Sequence, residues 1–295
     1  MPYINSKLFK IQMILQLLFF IVFFFADFGA SLQAIFAGIL LCLVGIPHGA
    51  NDHLYREDKT WFGMAKFLTA YLGTMALYAL LWYFLPLGAL VLFFVISFHH
   101  FGQSNFENKH IWYLPSILWG ILLLAFPVVL HVEEALLIFR SMIGMGKYNQ
   151  IAVKFEIERL AIWQIAILAS LAISYLISIF YYQKQYFSKY VLQLVLVTLW
   201  YLFTPLLFGF IVIFCLWHAL QSIQHQVKFF TTFYLKKNLD FFLAILPFSM
   251  ISLLIFALYL HFFDFNIGQS FILLSLITLP HVLIMHKLFN KAHSY

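Results

Sequence analysis

Charge is what this sequence has least of. Of its 295 residues only 9% are Asp, Glu, Lys or Arg, against about 25% in an ordinary soluble domain. So few cannot wet a globule of this size, which excludes an ordinary soluble enzyme, a nucleic-acid binder and a disordered chain. Cysteine is almost missing. Cys42 and Cys215 stand alone inside apolar runs, leaving neither a disulfide framework nor a thiolate metal site. The first apolar run has no small-residue cleavage signal and reads as a retained span. No polar stretch is long enough for a second domain, and no internal repeat is visible.

What remains is apolar: 64% hydrophobic residues, with 37 Phe. A bilayer is the solvent that suits such a chain, and a helix needs about 20 apolar residues to cross it. Polar punctuation gives about ten apolar segments, near 9–25, 30–47, 63–84, 86–103, 113–130, 160–182, 188–204, 205–225, 240–260 and 268–286. The expected fold is all-α, a polytopic membrane helix bundle of about 8–10 transmembrane helices, forming one integral membrane domain over 1–295. The longest polar interruption, 131–159, mixes charged with apolar residues and is expected to lie as an amphipathic segment on the membrane face.

The few charges carry orientation. Thirteen of the 17 Lys and Arg fall on the N-terminal segment, the C-terminal tail and the loops after even-numbered spans. The other four lie in 131–159. The charge rule then places both termini in the cytoplasm of a multi-pass protein of the cell (inner or plasma) membrane.

Histidine is in excess: twelve, against eleven Asp plus Glu. His48, then His99 and His100, then His218 and His225, then His281 and His286 mark the cytoplasmic ends of four even-numbered spans. His131 and His261 fall on the other side, and His110 and His293 lie in a loop and the tail. One such histidine reads as an interfacial residue or a helix-end cation. Four helices bringing imidazole to one level read as a metal site, because neutral imidazole suits iron, copper, zinc and nickel at low desolvation cost.

Helix geometry narrows the ligands. His218 and His225 share a face but stand about 10 Å apart along the axis, too far for one ion without a bend. His281 and His286 point about 140° apart, and His99 and His100 about 100° apart, so one of each pair faces the site. Asp52 is either a partner that orients a ligand imidazole or a solvated acid beside Arg56, Glu57, Asp58 and Lys59. Substrate-contacting residues are not legible, and the Phe residues read mostly as lipid-facing.

Four stretches then become recognisable: Gly45-Ile46-Pro47-His48-Gly49-Ala50-Asn51-Asp52, Ser97-Phe98-His99-His100-Phe101-Gly102, Trp217-His218 and Leu279-Pro280-His281. Spread over nearly the whole chain, they resemble the Brp/Blh family of membrane β-carotene 15,15′-dioxygenases. The resemblance implies Fe(2+) held by histidines and cleavage of the central double bond of β-carotene by O2. The product would be two all-trans-retinal, with a microbial rhodopsin as the natural recipient. By motif match His48, His100 and His218 are ligands. The family's next histidine, one turn on, is replaced here by Ser222, so the fourth ligand stays open between His281 and His225. Asp52, His99 and Ser222 are expected beside the ligands.

Two alternatives remain. A membrane di-iron desaturase or hydroxylase would use the His48…His53 and His281…His286 spacings, but its HxxHH signature is absent. A metal or proton transporter would carry its cargo on the histidines, but inverted repeats and paired broken helices are missing.

Overall fold

The computed structural model of the chain describes residues 6–25, 29–56, 58–106, 113–145, 160–234, 238–262 and 266–292, and among these every regular element is helical. In chain order they are α1 (Lys7–Phe25) and α2 (Ala30–Leu40), the latter running through a π-turn (Leu41–Gly45) into α3 (Ile46–Gly49) and a 3₁₀ turn (Asp52–Tyr55). Next come α4 (Trp61–Phe84), α5 (Pro86–Phe106), α6 (Leu114–Leu130), α7 (Val132–Met142), α8 (Ile162–Tyr182) and α9 (Phe187–Phe203). Then α10 (Leu206–Ile213) passes through a second π-turn (Phe214–Ala219) into α11 (Leu220–Tyr234), followed by α12 (Asn238–Phe262) and α13 (Ile267–Ala292).

Nine helical runs among the described residues are long and apolar enough to cross a membrane, or ten if α6 and α7, bent by 103°, count as one. The polytopic all-α bundle expected from hydropathy is therefore what the chain forms. Two runs are longer than hydropathy suggested, Ala30–Tyr55 and Leu206–Thr232. Polar side chains near their ends find partners inside the fold, Asn51 with Gln226 and Asp52 with His281. In α7, Glu133 and Glu134 occupy the first turn and Arg140 the last, each complementing the helix dipole. The rest of the expected interfacial segment, 146–159, lies outside the described residues, as do His110, His293, Lys109, Lys236 and Lys237.

The helices gather into two compact units. Unit one holds residues 1–41, 98–136 and 150–221, and unit two holds 42–97, 137–149 and 222–295. In unit one α5 and α6 touch backbone to backbone. A Cβ added at Gly102 would lie 1.7 Å from the Ser116 carbonyl oxygen, and one at Gly120 would lie 1.8 Å from the Phe98 carbonyl oxygen. Gly102 on α5, with Ser116 and Gly120 four apart on α6, permits that approach, the usual route to tight packing between membrane helices. Pro127 in α6 cannot donate to the carbonyl four residues back. The Tyr201 hydroxyl donates to that Leu123 carbonyl at 2.8 Å.

Unit two is tied by polar contacts between apolar helices. Trp82 Nε1 of α4 donates to Ser275 Oγ of α13 at 2.9 Å. At the start of α13, Asn266 Oδ1 accepts from Gly268 N at 2.9 Å and from Ser141 Oγ at 2.7 Å.

Candidate metal centre

Unit two brings His48 and His281 together. Their ring centroids lie 5.3 Å apart with planes at 86°, and the residues are 7% and 3% exposed. Each follows a proline, Pro47 or Pro280, that withholds a backbone donor and loosens the local helix. Before Pro47 the chain already winds as a π-turn, a form that recurs at functional sites. The His48 Nδ1 engages the Gly45 carbonyl. Gln226 of α11 holds this turn: its Nε2 donates to the His48 carbonyl at 2.9 Å, and its Oε1 accepts from Asn51 Nδ2 at 2.5 Å.

Asp52 is buried, 3% exposed. Its Oδ1 lies 2.8 Å from His281 Nδ1 and its Oδ2 accepts from the Tyr71 hydroxyl at 3.1 Å. Taken with a neutral imidazole, an acceptor-only carboxylate makes His281 Nδ1 the donor. That leaves the lone pair on Nε2, the carboxylate–histidine arrangement common behind metal ligands.

Unit one brings His100 and His218 together, with ring centroids 4.6 Å apart and planes at 73°. They are 2% and 0% exposed. His218 sits inside the second π-turn. There Leu220 N–H reaches the Cys215 carbonyl, five residues back, so it does not serve the Leu216 carbonyl as an α-helix would have it do. Helix α1 braces the turn. Gln12 Nε2 donates to the Leu216 carbonyl at 2.5 Å, and Gln16 Oε1 accepts from Trp217 Nε1 at 2.5 Å. The His218 ring stacks on Phe101 at 4.1 Å and 10°, and its Nδ1 lies 3.3 Å from Ser104 Oγ.

Within each unit the two rings stand at a separation that two ligands of one ion take. A bound imidazole nitrogen lies about 2.1 Å from the metal, so two rings at right to tetrahedral angles have centres about 4.5–5.3 Å apart. Among the described residues no three His, Cys, Asp or Glu side chains gather as one ready group; the imidazoles come in pairs.

The remaining candidates are placed as follows. His99 is half-buried on α5 beside His100, and His225 is buried on α11. Ser222 is fully buried, with its Oγ 3.3 Å from Gln226 Nε2. His53 stacks on Phe248 at 3.9 Å, and His286 is half-buried on α13. His131 donates from Nε2 to the Tyr201 carbonyl at 3.1 Å, while His261 is exposed.

A family model described as β-carotene 15,15′-dioxygenase matches residues 39–289. The chain belongs to that family. The matched stretch contains all four paired histidines, Asp52 and Tyr71, but not α1. A curated relative, the β-carotene 15,15′-dioxygenase of an uncultured marine bacterium 66A03, is 34% identical over 73 residues, which is 23% of this chain and 26% of that protein. The aligned part thus spans about a quarter of the relative's length. No solved structure matches the chain significantly.

Hydropathy and histidine spacing passed over the polar uncharged residues around the pairs: Ser104, Asn105, Gln193, Gln221, Gln226 and Tyr71. Their signal was present. Ser104 follows His100 by four residues, and Gln221 and Ser222 follow His218 by three and four. Those spacings put side chains on one helix face, and an amide inside an apolar run is costly unless it is bonded.

Proposed function

We propose that this protein cleaves the central 15,15′ double bond of β-carotene with O2 at a histidine-bound non-haem iron, yielding two all-trans-retinal. His48, His100, His218 and His281 are the proposed ligands. The observation that carries the reading is the donor set of a chain in this family: two pairs of buried imidazoles at ligand-like separations. The reaction balances. The C15=C15′ bond breaks, each carbon takes one oxygen atom of O2, and no proton or outside reductant is needed. Bound ferrous iron would supply O2 activation at open coordination positions.

The chain's own residues do the rest. Asp52, the Gly45 carbonyl and Ser104 hold protons on Nδ1 of His281, His48 and His218, keeping Nε2 free as donor. Neutral ligands in a buried site avoid the cost of placing several carboxylates at low dielectric. Burial of both pairs excludes bulk water. The apolar helices keep the protein in the bilayer, where carotene and retinal both dissolve, so neither need be drawn into water. The bias of basic residues supports cytoplasmic termini in a cell membrane, with a membrane retinal-binding protein such as a microbial rhodopsin as recipient.

Expression in a β-carotene-accumulating cell tests the reading. Loss of orange pigment with appearance of retinal is expected, and His48→Ala or His100→Ala should stop it. Full retention of carotene, with the protein present in the membrane, refutes it.

A further inference from the structure

Behind His218, Ser104 is the first of a row of buried uncharged polar groups. Ser104 has one hydroxyl hydrogen and two oxygens in front of it, the Phe101 carbonyl at 3.0 Å and Gln221 Oε1 at 3.2 Å. Whichever takes that hydrogen, Ser104 Oγ keeps lone pairs for an N–H donor, and His218 Nδ1 stands 3.3 Å away. The Gln221 amide presents its oxygen to Ser104. Its Nε2 donates to Asn105 Oδ1 at 3.0 Å, and that oxygen also accepts from Gln193 Nε2 at 3.0 Å. Asn105 Nδ2 donates back to Gln193 Oε1 at 3.4 Å. Turning Gln221 alone would set its oxygen against Asn105 Oδ1. All four side chains are at most 1% exposed, so bulk water does not reach them.

We infer that Ser104, Gln221, Asn105 and Gln193 form a tautomer lock that keeps neutral His218 protonated on Nδ1, so that Nε2 is always the lone-pair nitrogen. They are positioning residues, acting through His218. The Phe101 ring stacked on His218 fixes the plane while the lock fixes the proton. The two devices differ in kind from the one behind His281, where a charged carboxylate does the same work. A chain of amides achieves it without an ion, which suits a helix interior of low dielectric. Its use for metal binding rests on the reading of His218 as an iron ligand.

The test is histidine ¹⁵N NMR of the metal-free, lipid-reconstituted protein, with His218 assigned by difference from His218→Gln. The lock predicts one tautomer, protonated on Nδ1, in the wild type, a result that needs no variant to fold. Ser104→Ala and Gln221→Leu should show mixed tautomers and bind Fe(II) roughly 10–100-fold more weakly, as loss of a ligand's outer partner does. Ser104→Thr, which keeps the hydroxyl, should retain the tautomer. A proton on Nε2 in the wild type, or a single Nδ1–H form surviving in Ser104→Ala, overturns the lock. If His218→Gln loses iron while Ser104→Ala and Gln221→Leu bind as wild type, the lock alone fails. If His218→Gln keeps full iron, the ligand reading fails, and the lock's role in positioning a ligand falls with it.

Discussion

Gly102 sits two residues after His100, and replacing it with Ala tests how tightly the site is tied to helix packing. The added Cβ would lie 1.7 Å from the Ser116 carbonyl oxygen and 2.4 Å from its carbonyl carbon. Ordinary contacts are about 3.5 Å, so α5 and α6 must part locally by roughly 1.5–2 Å. The atoms met are backbone, with no rotamer to yield, so the cost falls at the upper end of the roughly 1–3 kcal/mol typical of overpacking. At about 2–4 °C per kcal/mol for a chain of this class, the melting temperature should drop by about 5–10 °C. His100 moves with the helix, and a misplacement of about 1 Å at a reacting centre can cost on the order of 10²-fold in rate. The assay is heat denaturation in detergent, followed by iron content and retinal formation. Gly73→Ala is the control, because a Cβ there meets nothing within 4 Å. It should be neutral or slightly stabilising. A Gly102→Ala protein as stable, iron-rich and active as Gly73→Ala would refute the reasoning.

Three further outcomes are expected. Asp52→Asn keeps the size of the side chain but removes the charge behind His281, and should weaken Fe(II) binding roughly 10–100-fold by metal competition; unchanged affinity would remove Asp52 from the site. Gln226→Leu strands the Asn51 amide and the His48 carbonyl, which should lower stability by about 1–3 kcal/mol in a denaturation curve; no change would mean the turn holds without it. His281→Ala should lose iron and His225→Ala should keep most of it, and the opposite pattern would make His225 the fourth ligand.

The bundle was legible because apolar run length is a local property that the bilayer reads directly. The histidine pairs were half legible. Helix-end position marked His48, His99 and His100, His218 and His225, and His281 and His286, and the family resemblance chose His48, His100 and His218 among them, but pairing is a tertiary fact that spacing cannot supply. The two π-turns left no trace in hydropathy: Phe214–Ala219 is as apolar as an α-helical stretch, and its altered bonding depends on Gln12 and Gln16, some 200 residues away in sequence. The amides escaped notice for a similar reason. Gln193 and Asn105 look like isolated polar residues in apolar runs until folding makes them partners of one another.

The most direct test of the central claim is a product count. Purified protein loaded with Fe(II) is given β-carotene and O2, and retinal is quantified against carotene consumed. The account predicts two retinal per β-carotene, at close to one iron per chain. Cleavage products of unequal length, carotene untouched by iron-loaded folded protein, or an iron content near two per chain would contradict it.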